Sequence, residues 1–183
     1  MKISIREKLR SLGKLKKNIL FFIIVILMPK KYISHRANLY KKELKRENKF
    51  KHIDEVISQG FDCEIDLWLI EGKLFLGHDS PDTEITYKNI LELKNYLWIH
   101  CKNLEALTYL TKIKENNLNY FWHQKDDFTL TSMNYIWTYP GKKVSTNSVI
   151  VDLNHSKIIE KTLYGICSDN IYEVKKMYED MGY

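Results

Sequence analysis

The chain has 183 residues, 44% of them hydrophobic and 28% charged, and carries a formal net charge of +6. This describes one globular domain with enough apolar material for a core, and neither an internal repeat nor a low-complexity linker is visible. The positive charge is local: residues 1–31 hold nine Lys/Arg against Glu7 alone, a net of +8, while residues 32–183 hold 20 bases against 22 acids, a net of −2. That balance excludes nucleic acid as a partner of the body, because such a surface needs an excess of base.

The amino-terminal arm, residues 1–31, reads as a basic stretch (Lys14, Lys16, Lys17), an apolar run from Ile19 to Met28, and then Pro29-Lys30-Lys31. The run is too short to span a bilayer, which takes about 20 residues. It ends in Met-Pro-Lys-Lys, without the small-x-small site of a cleaved signal peptide. An interfacial membrane anchor through residues 14–31 fits best, lysines at both ends meeting anionic headgroups, on an otherwise cytoplasmic protein. Two other readings stay open: a tail that packs on the domain or is disordered, and a start at Met28.

Residues 32–183 make the second unit. KYISHR (31–36) predicts a first strand, and HIDEVISQG (52–60), with apolar residues at 53, 56 and 57 and a terminating Gly60, predicts a helix. DCEIDLWLI (62–70) and KLFLG (73–77) predict strands around the tight connection Glu71-Gly72. A short helix over 86–94, a strand LWIHCK (97–102) and a helix over 104–116 follow, the last with Leu104, Leu107, Leu110 and Ile113 in spacing. NYFWHQ (119–124), YIWT (135–138), SVIVD (148–152) and YGICS (164–168) are the remaining strands, before an amphipathic helix from Ile171.

Eight strands alternating with helices predict a closed (β/α)8 barrel of the TIM type. Such barrels typically take about 250 residues, and residues 140–147 leave no room for a helix. The expectation is a compact barrel with outer helices shortened or missing on one side, covered by the arm or a second subunit. Cys63, Cys101 and Cys167 each fall inside a predicted strand and cannot all pair, which predicts buried reduced thiols.

Polar residues gather where these strands end, and strand ends are where α/β proteins keep their chemistry. In DCEIDLWLI the side chains alternate, so Glu64 and Asp66 share one face. Two carboxylates on an otherwise apolar strand are costly unless a cation holds them, and a hard divalent metal is the usual solution. His35-Arg36 and His78-Asp79 close the first and third strand-like runs, and a pair of histidines with an arginine beside a metal describes phosphate-ester chemistry. His100 and His123 also lie at strand ends, so four of the six histidines map to one rim. Asp126 and Asp127 read as caps of the next turn, and Trp122, Trp137 and Tyr139 as packing.

The run ISHRAN (33–38), Glu47-Asn48 ahead of the Gly60-terminated helix, the EID strand and the GHD turn (77–79) together resemble the glycerophosphodiester phosphodiesterase family. Its pattern is HRG, EN, a Gly-terminated helix, E-x-D and then HD. WIHCKN (98–103), YIWTYP (135–140) and YGICSDN (164–170) resemble its later strands, so the resemblance spans residues 33–170. It implies a metal-dependent phosphoric diester hydrolase acting on glycerophosphodiesters or related lipid-derived diesters. His35 and His78 would be the acid/base pair, Arg36 and Lys102 the phosphate ligands, and Glu64 and Asp66 the metal ligands. The closing Ser168-Asp169 would be structural.

The departure is His100, where the family has a third acidic ligand. Mg²⁺ or Ca²⁺ is the expected ion, and a histidine ligand would favour manganese, zinc or iron instead. His100 as substrate contact or core residue stays open, with His123 as a further rim contact. Two other functions also stay open: a phosphate-binding or scaffold module with weakened turnover, and a metal-free cyclising activity of the phospholipase C kind. The oligomeric state is not written in the sequence.

Overall fold

The structure, a computed structural model, describes residues 29–113, 117–153 and 163–180. Most of the arm, and with it the membrane-anchor reading, lies outside the described residues, as do residues 114–116. Among the described residues no helix is long and apolar enough to cross a membrane.

The elements are β1 (Lys31–His35), α1 (Phe50–Ser58), β2 (Asp62–Ile70), β3 (Lys73–Leu76), β4 (Thr83–Ile85), α2 (Tyr87–Glu92), β5 (Leu97–Cys101), α3 (Leu104–Lys112), β6 (Asn119–Phe121), β7 (Phe128–Leu130), β8 (Ile136–Thr138), β9 (Ser148–Val151), β10 (Gly165–Ser168) and α4 (Ile171–Asp180). The strands form one ten-stranded sheet. Its parallel run is β6-β5-β2-β1-β10-β9-β8, with β7 antiparallel at the β8 edge.

This corrects two expectations. The sheet is curled but open: among the described residues no ladder joins β6 to β7 or β8. The seam is instead bridged by Ser132 N–H to Tyr120 O at 2.9 Å and by the Thr129 hydroxyl to Trp122 O at 2.8 Å. Nor is KLFLG a barrel strand. Glu71 (φ 49) and Gly72 (φ 79) both sit in the left-handed region, the two-residue turn of a hairpin, and such a turn can only return the chain antiparallel. β3 therefore folds back on the upper half of β2, pairing Leu67 with Leu76 and Ile70 with Lys73, and β4 adds to it. β4 and β7 were not foreseen.

The helices cover one side. α1 buries Ile53 and Val56 against β2, and Gly60 (φ 82) ends it as the sequence predicts. α3 starts at an Asn103 cap, whose side chain accepts from the Ala106 N–H at 3.0 Å, and buries Ala106 and Leu110. It stops at Lys112, short of the predicted end. Residues 140–147 hold no helix, as expected.

Alternation on β2 separates two cores. Cys63, Ile65 and Leu67 face the helices and join the larger apolar cluster. The inner cluster holds Ile33, Trp98, Phe121, Trp137, Val149, Val151 and Cys167. All three cysteines are free and buried.

Candidate active site

Asp66 organises the upper end of the sheet. It is fully buried, and its carboxylate is within 3.0 Å of His100 Nδ1, 3.3 Å of Lys102 Nζ and 3.4 Å of His78 Nδ1. Arg36 Nε lies 3.0 Å from Oδ2 as an ion pair, although without hydrogen-bond alignment. Asn48 holds the residue from both sides: its amide donates to Oδ2 at 2.9 Å, and its carbonyl accepts the Asp66 N–H at 2.9 Å. Burial alone would raise the Asp66 pKa, but the bonds from His100 and His78 and the charges of Arg36 and Lys102 outweigh it and hold the carboxyl well below its usual range.

Glu64, one alternation earlier, has the opposite balance. It accepts the Arg36 backbone N–H at 3.2 Å, and its nearest side-chain nitrogens are His35 Nε2 at 3.9 Å and His100 Nδ1 at 4.0 Å. Burial and the neighbouring Asp66 push its pKa well up.

His35 is fixed by a residue 134 positions away. Its Nδ1 meets Asp169 Oδ1 at 2.7 Å, and Asp169, held below its usual range against burial by His35 and Asn38, is ionised. Nδ1 therefore carries a proton, and Nε2 is the nitrogen whose lone pair the neutral ring would offer. Asn38 donates to Asp169 at 2.8 Å and to Glu47 at 3.0 Å, and Glu47 takes Arg36 Nη1 at 3.4 Å. Asp169, read from sequence as structural, is thus the orienting partner of His35. Asn38, Glu47 and Asn48 were also missed as site residues. The Glu47-Asn48 pair in the family pattern was the available signal.

The turn after β1 is tight: Arg36 (φ 54) and Ala37 (φ 67) are both left-handed, where the resembled pattern has glycine at the second position. His78 arrives on the returning arm of the hairpin. The Leu67–Leu76 pairing brings Gly77 opposite Asp66, whose carbonyl accepts the Gly77 N–H at 3.2 Å. A Cβ on Gly77 would fall 2.0 Å from Ser80 O, so no side chain fits there. The His78 side chain is 37% exposed, and its Nε2 accepts from Arg36 Nη2 at 3.3 Å. Asp79 beside it is solvent-exposed.

His100 stacks on His123 with centroids 4.4 Å apart and on Phe121 at 5.3 Å. Its Nε2 is 3.2 Å from the His123 carbonyl oxygen. Nδ1–H donates to Asp66 at 3.0 Å, and an ion bound beside Asp66 and Glu64 would take the place of that proton on Nδ1. Glu64, Asp66 and His100 offer ligand atoms all within 4.8 Å of one another. Two buried carboxylates, one of them short of a cationic partner, with one imidazole make a donor set that fits a divalent ion. Burial, His100 and Lys102 lower the His123 pKa to about 4, so that ring is neutral.

A cavity of about 200 Å³ opens over this network, lined by His35, Arg36, Glu64, His78, His100 and His123 on one side and by Thr129, Trp137, Tyr139, Val151 and Leu153 on the other. The predicted site residues are therefore brought together, Lys102 reaching in beside His78 at 3.3 Å. Asp126 does cap its turn, accepting the Gln124 N–H at 3.2 Å, and Asp127 pairs with Lys142 at 2.8 Å.

No family model and no curated protein matches the chain. Among solved structures, the crystal structure of a glycerophosphodiester phosphodiesterase from Agrobacterium tumefaciens str. C58 is similar, with a TM-score of 0.51 at 14% identity over 82% of this chain and 100% of that one. At that identity the likeness is one of fold. The chain shares with that protein a curled mixed α/β sheet, here open, and carries at its rim a Glu64–Asp66–His100 cluster able to hold a metal ion.

Proposed function

We propose that the protein is a phosphoric diester hydrolase acting on glycerophosphodiesters or related small diesters. One observation carries the reading: two histidines, each beside a buried carboxylate, face one cavity together with Arg36 and a candidate metal cluster. Likeness of fold to a glycerophosphodiester phosphodiesterase supports it.

His35 Nε2 takes a proton from the attacking water or hydroxyl as its oxygen bonds to phosphorus, and the resulting imidazolium is stabilised by Asp169. His78, with Nδ1 towards Asp66, would in its imidazolium form give the Nε2 proton to the alkoxide as the other P–O bond breaks. The Arg36 guanidinium exchanges His78 Nε2 for a phosphoryl oxygen, and Lys102 adds a second positive charge. Glu64, Asp66 and His100 would hold a divalent ion, whose chemistry there would be Lewis acidity towards the phosphate. A histidine among the ligands would favour manganese or zinc over calcium.

A metal-free version is favoured by one feature: Asp66 already meets Arg36 and Lys102. A panel of glycerophosphodiesters assayed with chelator and with Mg²⁺, Ca²⁺, Mn²⁺ or Zn²⁺ separates the readings. Metal-dependent release of the alcohol is the expected result. Chelator-resistant turnover with a cyclic phosphate product would favour the metal-free version, and no hydrolysis under any condition would overturn the enzyme reading.

A further inference from the structure

The cavity has two unlike walls. One is the ionic network of β1, β2 and β5. The other comes from β8, β9 and the segments that follow them: Trp137 and Val151, nearly buried, then Tyr139, Pro140 and Leu153. Of the polar groups on this second side, the Thr129 hydroxyl donates to Trp122 O at 2.8 Å, and the Asp126 carboxylate, which accepts the Gln124 N–H at 3.2 Å, is exposed to solvent.

A phosphodiester seated on Arg36 must send one of its two arms along that wall. A glycerol arm laid on Pro140, Val151 and Leu153 would bring hydroxyls to side chains that neither donate nor accept, and a hydroxyl buried unpaired weakens binding roughly tenfold or more. A hydrocarbon arm loses nothing there. The enclosed volume of about 200 Å³ is below the roughly 300–1,000 Å³ of sites that swallow a drug-sized ligand. Only the atoms next to phosphorus are therefore enclosed, and the rest of the arm leaves past Tyr139, which is 49% exposed at the mouth.

We infer that the substrate is an asymmetric diester: a polar phosphate on the ionic side and an apolar alcohol against Trp137, Tyr139, Val151 and Leu153. This rests on the phosphodiesterase reading above and narrows its substrate class to esters of an alkyl or aryl alcohol, over diesters with two polyol arms.

The test is a series of glycerophosphoryl n-alkanols from methanol to hexanol, with glycerophosphoglycerol as the polar member, assayed for kcat and KM. In parallel, n-alkyl phosphates of the same lengths are titrated calorimetrically, with and without Mn²⁺. KM should fall about threefold to fourfold per methylene until the chain passes Tyr139, and glycerophosphoglycerol should be the poorest substrate. Leu153→Ser should flatten the slope in both measurements. A flat series, or a preference for the glycerol arm, overturns the inference while leaving the phosphodiesterase reading intact. A slope in calorimetry without hydrolysis of any member upholds the apolar wall and overturns the enzyme reading. Absence of both slope and hydrolysis overturns both.

Discussion

Strands β1, β2, β5 and β10 carry His35, Glu64, Asp66, His100 and, just past β10, Asp169, and they are backed by α1, α3 and α4. Strands β7 to β9 turn Thr129, Trp137 and Val151 to the same cavity, yet among the described residues 117–153 there is no helix behind them. Buried charge demands partners fixed in place, because an ion held a little loosely loses both its solvent and its pair. The charged half meets that demand with hydrogen bonds to Asp66, Asp169 and Glu47, on strands clamped by helices. The apolar half needs only close contact, which ring stacking supplies: Phe121 on Trp137 at 4.6 Å and Tyr135 on Tyr164 at 4.2 Å.

The sharpest break of that comparison is His78→Ala. Turnover of a glycerophosphodiester should fall on the order of 10²–10⁴ in kcat, with little change in melting temperature, because the side chain is 37% exposed. His35→Ala should lose as much activity and also stability, since buried Asp169 is left without its closest partner. Wild-type rates in either variant would remove the acid/base assignment.

Asp66→Asn comes next. It removes the charge shared by Arg36 and Lys102, and leaving buried cations uncompensated costs about 3–5 kcal/mol, read by urea unfolding. A loss under about 1 kcal/mol would mean that the network is not what holds this half together.

Glu64→Gln should behave in the opposite way. Burial raises the folded-state pKa of Glu64 above its unfolded value, so its contribution is fully present below the unfolded pKa and is lost as pH rises through the folded one. Removing the ionisable group removes that slope and leaves the metal-free protein more stable at neutral pH. The same variant should lose the rise in melting temperature that Mn²⁺ gives the wild type. Thermal melts across pH 4–8, with and without Mn²⁺, check both; a wild-type metal response would take Glu64 out of the ion site.

The smallest effect belongs to β7. Leu130 on β7 is 65% exposed, so Leu130→Ala should change stability by less than about 0.5 kcal/mol. Ile53→Ala beneath α1 should cost about 2–5 kcal/mol. Equal losses at the two positions, in the full chain, would mean that something covers β7 after all.

What the sequence by itself determined was local. Alternation along DCEIDLWLI turned Glu64 and Asp66 inward and Cys63, Ile65 and Leu67 towards the helices, since side-chain direction in a strand follows from backbone geometry alone. The helix before Gly60, the helix from Leu104 and the helix-free stretch 140–147 were legible for similar reasons. The Glu71-Gly72 turn also held its answer, because a two-residue connection cannot lead into a parallel strand; counting strands obscured it. His78 nevertheless reaches the rim, carried there by the hairpin's return rather than by a barrel strand's end.

Only the tertiary structure decided the pairings between distant segments. Asp169 reaches His35 across 134 positions, and Asn48 reaches Asp66 across 18. The open seam between β6 and β8, the stacking of His100 on His123 and the apolar wall from Trp137 to Leu153 are of the same kind. Each depends on which strands lie side by side and in what register, and that is set by the packing of the whole sheet against its helices, a sum over many contacts that no short stretch of residues contains.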